Sequence, residues 1–188
     1  MVTNYFQKRN LSFSDKLLAF DFSLLFLVLL LGVISLFAMY SSERGSFSYH
    51  TQSHLYRFSV FFLFFILISF FNIKYIFKSA YIFYIFVFIL LLMVDSFGII
   101  SSGSKRWINL FFINLQPSEL MKIGLILFLA KYYHRISSGD VNRAKFLLSP
   151  IFALSAPVIL VLTQPDLGTA FLIAAGGAVV IWLAGVKM

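Results

Sequence analysis

The stretch from Leu17 to Tyr40, LLAFDFSLLFLVLLLGVISLFAMY, decides the fold class. It contains one charge, Asp21, close enough to its start to reach an interface, and is otherwise almost wholly apolar. At 1.5 Å per residue, a helix of this length crosses the roughly 30 Å hydrocarbon core of a bilayer. Similar blocks recur along the chain with their charges at the ends. They predict helices over about Leu55–Ile73, Ser79–Val94, Pro117–Tyr133, Phe146–Leu162 and Pro165–Leu183. The expected fold is therefore all-α, a polytopic membrane protein of about six transmembrane helices. Residues 1–188 read as a single transmembrane domain, with no soluble domain, linker or low-complexity tail.

Composition agrees. Hydrophobic residues make up 61% of the chain and charged residues 12%, against a charged share of about 25% in soluble domains. So small a charged share cannot cover a soluble surface. The abundance of phenylalanine, 25 residues, reads as a compositional bias with no chemistry implied. Cysteine is absent, which removes disulfides and thiolate metal sites and leaves the redox compartment unread. No signal-peptide cleavage pattern follows the first block, so that block reads as an uncleaved anchor.

The net charge of +8 does not point to nucleic acid. The basic residues lie in short segments between apolar blocks and form no stripe along one face. With the N-terminus inside, Lys8, Arg9, Lys16, Lys74, Lys78, Lys131, Arg135, Arg143, Lys145 and Lys187 are cytoplasmic. Arg44, Arg57, Lys105 and Arg106 are then outside. This asymmetry puts both ends in the cytoplasm. In that reading Lys74 and Lys78 flank a tight turn, and the longest polar interruption runs from Asp95 to Gln116.

Two segments look alike, Gln116-Pro117-Ser118-Glu119 and Gln164-Pro165-Asp166-Leu167-Gly168-Thr169. Each is expected to put proline at the first helical position and a carboxylate in the first turn. One such segment is simply a well-started helix, whereas two at the outer ends of helices favour function. Glu119 and Lys122 are three apart and share a helix face. An ionisable pair in an apolar helix normally faces a partner helix or a cavity. It therefore either locks packing or lines a polar cavity for a charged substrate, with Asp166 able to face the same cavity. Asp95 reads as an interface residue.

Lys105 and Arg106 lie in an outer loop, where the inside bias disfavours cations. Cations there suit phosphates, arginine being able to bind them bidentately. Trp107 is most simply an interfacial anchor. His50, His54 and His134 sit in loops or at helix ends with no metal spacing. Gly176-Gly177 permits close helix packing, and Pro157 is the expected kink of helix five.

Taken in order, these residues resemble the SEDS family of bacterial cell-wall proteins. The resemblance rests on Gly103-Ser104-Lys105-Arg106-Trp107-Ile108-Asn109, on Asn114-Leu115-Gln116-Pro117-Ser118-Glu119-Leu120 with Lys122, and on Gln164-Pro165-Asp166-Leu167-Gly168-Thr169-Ala170. Asn114-Leu115-Gln116 looks more like the elongation branch than the division branch. The resemblance implies a peptidoglycan glycosyltransferase that polymerises lipid II into glycan strands during cell elongation and rod-shape maintenance. It would act at the outer face of the bacterial cytoplasmic (inner) membrane and release undecaprenyl pyrophosphate. Lys105 and Arg106 would assist the departing pyrophosphate, and Gln116, Glu119, Lys122 and Asp166 would line or bind in the cavity.

The resemblance implies a class B penicillin-binding transpeptidase as partner. No cofactor is identifiable, and the question of a divalent cation stays open. Family members have about ten helices, and the acid usually proposed as catalytic lies in a second half with no counterpart here. No catalytic residue is assignable, and the chain reads as an N-terminal half, from a truncated or a split gene. Two other classes stay in view: a transporter (flippase) of a lipid-linked precursor, and a non-catalytic scaffold of the elongation machinery. Ionisable groups concentrated near the outer ends favour outer-face chemistry over transport, which needs access from both leaflets.

Overall fold

The computed structural model describes residues 20–101, 104–109, 114–137 and 139–187. The described residues form six helices: α1 (Phe22–Ser42), α2 (Tyr49–Ser69), α3 (Ile73–Phe97), α4 (Pro117–His134), α5 (Ala144–Thr163) and α6 (Leu167–Leu183). Three short strands separate α3 from α4: β1 (Ile99–Ser101), β2 (Ser104–Asn109) and β3 (Asn114–Leu115). They form one antiparallel sheet in the order β1-β2-β3, with Ile99 opposite Trp107 and Ile108 opposite Leu115. The sequence reading placed no strand there.

Four helices are long and apolar enough to cross a membrane, over Phe22–Ser42, Tyr49–Ser69, Ile73–Val94 and Ala144–Thr163. Helix α4 is shorter and carries Glu119, Lys122 and Lys131 in its 18 residues, and α6 has 17. Such short or charged helices are those that line polar interiors in polytopic proteins.

Contacts divide the chain into two compact units, Met1–Lys74 and Tyr75–Met188. In the first, α1 and α2 form a hairpin. Asp21 caps α1, its carboxylate accepting the Leu24 amide at 3.0 Å. Gly32 receives the Phe58 ring: a Cβ there would lie 2.0 Å from Phe58 Cζ. One turn on, the Ser35 hydroxyl donates to the Gly32 carbonyl and lies 2.7 Å from His54 Nε2. Gly32→Ala is expected to push the two helices apart and lower the melting temperature in detergent, because the displaced group is a whole ring. An unchanged melting temperature would show that the ring moves away freely.

Helix α2 starts six residues earlier than Leu55, because Glu43 supplies acceptors for its first turn. The Glu43 carboxylate accepts the His50 and Thr51 amides at 3.0 and 3.1 Å, and the Thr51 hydroxyl as well. Hydrogen bonds from the Ser48 and Thr51 side chains hold its pKa down to about 2. Since the folded value is depressed, this support is complete above the usual carboxylate range and fades as pH falls towards 2. The protection factors of the His50 and Thr51 amides, exchange rates corrected for the intrinsic pH dependence, should therefore be constant from pH 8 to 5, and lower throughout in Glu43→Gln.

The second unit packs α3, α4, α5 and α6 around Val87, Leu91, Met121, Leu125, Leu129, Val161 and Ile173, all buried. Gly177 of α6 seats Leu154 and Leu125 against its backbone, as expected for close packing. Lys74 and Lys78 do not flank a turn; both lie inside α3, whose first turn is joined by the Asn72 side chain accepting the Lys74 amide at 3.0 Å. The aromatic and aliphatic residues between them continue the helix, while lysine stems can snorkel to an interface.

Pro150 and Pro157 both lie inside α5. Each proline deprives the carbonyl four residues earlier of its helical donor. Those carbonyls belong to Phe146 and Ala153, and each accepts a tyrosine hydroxyl from a neighbouring helix. Tyr132 of α4 donates to Phe146 at 3.1 Å, and Tyr84 of α3 donates to Ala153 at 2.8 Å. Away from water such carbonyls need a partner, and neighbouring helices provide it. Tyr84→Phe should cost about 1–2 kcal/mol in chemical denaturation, and markedly less in a Pro157→Ala background, where the helix supplies its own donor. Equal costs in both backgrounds would contradict the pairing.

Candidate functional site

The ends of α3 and α5 and the starts of α4 and α6 meet the three-stranded sheet at one end of the second unit. Gln116 is the N-cap of α4, with Pro117 at the first helical position and Glu119 in the first turn, as the sequence predicts. The second segment differs. Asp166, rather than Pro165, is the boundary residue: it caps α6, its Oδ1 accepting the Thr169 amide at 3.2 Å. Pro165 therefore lies outside the helix. An aspartate at the N-cap satisfies an orphan donor and meets the positive end of the helix dipole.

The two like segments touch through this residue. Gln116 Nε2 donates to Asp166 Oδ2 at 3.2 Å, and Arg106 Nη1 of β2 lies 3.5 Å from the same oxygen. Arg106 Nη2 donates to the Pro165 carbonyl at 2.9 Å. One guanidinium thus clamps the turn that starts α6 and neutralises its cap, while α4 contributes the amide. Asp166 is 9% exposed and the Arg106 side chain 31%, so water reaches the cluster from one side. Arg106 Nε is buried with no acceptor among the described residues. Lys105, its neighbour on β2, is exposed, and its side chain makes no hydrogen bond or ion pair among them.

Glu119 and Lys122 share a face and pair at 2.8 Å. Both belong to α4, so this bond ties no second helix. Both remain partly exposed, and no hydrogen bond or ion pair among the described residues joins them to Asp166. The structure thus brings Arg106, Gln116 and Asp166 together, exposes Lys105 one residue away on β2, and keeps Glu119–Lys122 as a separate pair. The side chain of Asp95 lies outside the described residues.

Sequence reasoning overlooked Gln164 as a packing residue. It is 4% exposed and its amide donates to the Leu91 carbonyl at 3.4 Å, tying the α5–α6 turn to α3. It therefore does not mirror Gln116. The repeated Gln-Pro pair was the available signal, but only helix adjacency distinguishes the two roles.

Comparison with known proteins follows the same lines. The family described as "Cell cycle protein", that of FtsW, RodA and SpoVE, matches residues 15–188. A peptidoglycan glycosyltransferase MrdB of Escherichia coli K12 is 40% identical over 105 residues, covering 55% of this chain and 28% of that protein. A probable peptidoglycan glycosyltransferase FtsW of Buchnera aphidicola is 37% identical over 98 residues, covering 52% and 26%. The crystal structure of the rod shape determining protein RodA of Thermus thermophilus superposes with a TM-score of 0.78 at 27% identity, covering 90% of this chain and 55% of that one. A chain from a peptidoglycan synthase complex, described as coordinating polymerization and crosslinking, gives 0.79 at 28%, covering 89% and 48%. The chain thus spans between about a quarter and about half the length of these relatives. A match along nearly the whole chain, with the polytopic helical fold and the two joined motifs, makes this a multi-pass membrane protein of the FtsW/RodA/SpoVE family, the SEDS proteins.

Proposed function

We propose that this chain forms part of a peptidoglycan glycosyltransferase that polymerises lipid II at the outer face of the bacterial inner membrane, with its N-terminus cytoplasmic. The observation that carries the reading is the joining of both family motifs through Asp166, which holds the Arg106 guanidinium in place. In glycosyl transfer from a lipid-linked sugar, negative charge develops on the departing pyrophosphate. Cations already held in place stabilise it without reorganising.

In this reading Lys105 contacts the pyrophosphate directly. Arg106 keeps its two terminal nitrogens on Asp166 and Pro165, and its fixed charge acts on the pyrophosphate through space. Asp166 and Gln116 position Arg106. Glu119 and Lys122 provide a polar, balanced patch on α4 that a sugar or pyrophosphate could approach. The general base of the reaction is assigned to no residue here. The likeness to a chain of a synthase complex supports a class B penicillin-binding transpeptidase as partner.

The test uses the absence of cysteine. Lys105→Cys should react with a membrane-impermeant maleimide only from the outer side of intact cells. In nanodiscs, Lys105→Gln should weaken binding of undecaprenyl pyrophosphate several-fold and leave binding of undecaprenol unchanged. Labelling only from the cytosol, or equal loss for both lipids, would overturn the assignment.

A further inference from the structure

At the other end of the second unit, two cations of α4, Lys131 and Arg135, meet at the Tyr81 ring of α3, and no ion pair joins either to a carboxylate among the described residues. Lys131, in the last turn of α4, is 7% exposed. Its ammonium donates to the Lys78 carbonyl of α3 at 2.5 Å and stands 4.5 Å from the centre of the Tyr81 ring. Arg135, the C-cap of α4, is exposed, and its guanidinium carbon lies 5.8 Å from the same ring. Lys78 adds an exposed side chain one turn before Tyr81 on α3.

A buried cation usually has a carboxylate partner, and this one has a carbonyl and an aromatic face instead. The nearby acid in the chain, Asp140, is already taken. It pairs with Arg143 at 2.9 Å and accepts the Ser137 hydroxyl at 2.8 Å. No ion pair reaches Lys78, Lys131 or Arg135 among the described residues. The C-terminal dipole of α4 favours cations here, but it does not neutralise three of them.

Depth identifies the missing anion. Lys78 lies in the second turn of a membrane-spanning helix, and Lys131 lies three residues before the end of α4. The Phe77 and Tyr81 rings lie against the Lys131 ammonium, as aromatic residues do at the level of lipid headgroups. The anion present at that level in every position of the membrane plane is a phospholipid phosphate, and basic pockets between helix ends recognise anionic headgroups. We propose that Lys78, Lys131 and Arg135 form a binding site for the headgroup of an anionic phospholipid, in the leaflet that the C-terminal end of α4 faces. The exposed side chains of Lys78 and Arg135 hold the phosphate, Lys131 adds charge from beneath, and Tyr81 forms the floor.

Native mass spectrometry of the full chain, exchanged into equimolar phosphatidylglycerol and phosphatidylcholine, tests this. Phosphatidylglycerol should be retained several-fold over phosphatidylcholine. The double substitution Lys78→Gln with Arg135→Gln, which leaves the Lys78 carbonyl in place for Lys131, should abolish the preference. Lys145→Gln, at the start of α5 and joined to the same end by one short loop, should keep it. Should the double variant fail to fold, Arg135→Gln alone should at least halve the preference. Equal retention of the two lipids overturns the proposal, and equal loss in Lys145→Gln overturns it in favour of general charge attraction. Displacement of the lipid by millimolar inorganic phosphate would overturn the lipid as its source.

Discussion

Gly177→Leu is expected to prevent stable folding of the second unit, with a cost above about 3 kcal/mol from overpacking. A Cβ at Gly177 would already lie 2.5 Å from Leu154 Cδ1 and 3.0 Å from Leu125 Cδ2. These belong to α5 and α4, so both neighbours of α6 would have to retreat together. The adjacent glycine is a control on the same helix. A Cβ at Gly176 meets only Ile126 Cδ1, at 3.9 Å, an ordinary contact. Gly176→Ala should therefore be neutral or slightly stabilising, since alanine is the better helix former. Denaturation in detergent would separate the two, and equal sensitivity at both positions would contradict the packing.

Removing the Asp166 carboxylate should have the second largest effect. Asp166→Ala deletes the cap of α6, worth about 1 kcal/mol, and leaves Arg106 facing only a carbonyl. The loss of the ion pair is moderated by the partial exposure of Arg106, because water screens what remains. A total near 2 kcal/mol is expected. Asp166→Asn separates the two contributions: asparagine still caps the helix but carries no charge for Arg106. It should recover about half of the stability, yet bind undecaprenyl pyrophosphate as poorly as Asp166→Ala. If Asp166→Asn bound the lipid like the wild type, Asp166 would be a cap and nothing more.

The membrane class was legible because hydrocarbon thickness sets a length that few soluble segments imitate, and Leu17–Tyr40 exceeds it without relying on any one residue. Helix ends were less so. The sequence Tyr49-His50-Thr51-Gln52 is polar enough to read as loop, but Glu43 from the preceding turn supplies the acceptors that let it be helical. Lys74 and Lys78 look like turn residues only if a helix must end where the hydrocarbon ends. The sheet of β1, β2 and β3 went unread because its pairing, Ile99 with Trp107 and Ile108 with Leu115, depends on register between very short strands rather than on a long alternating run.

The candidate site was half legible. Residue types and spacing singled out Arg106, Gln116 and Asp166, and proline at the start of α4 was correctly placed. Which groups meet could not be read, because that depends on α4 and α6 being neighbours. The same holds for Tyr84 and Tyr132: nothing in their local sequence shows that they complete carbonyls freed by Pro157 and Pro150. Lys131 was counted only as one more inside charge, since its burial against Tyr81 appears only once α3 and α4 are packed.

The most direct measurement is a double-mutant cycle on Arg106→Gln and Asp166→Asn, read as affinity for undecaprenyl pyrophosphate in nanodiscs. If the two residues act as one unit, each single change weakens binding and the double is no worse than the poorer single, with a coupling of at least about 0.5 kcal/mol. Independent effects that simply add would mean that the two motifs, though in contact, do not build a common site.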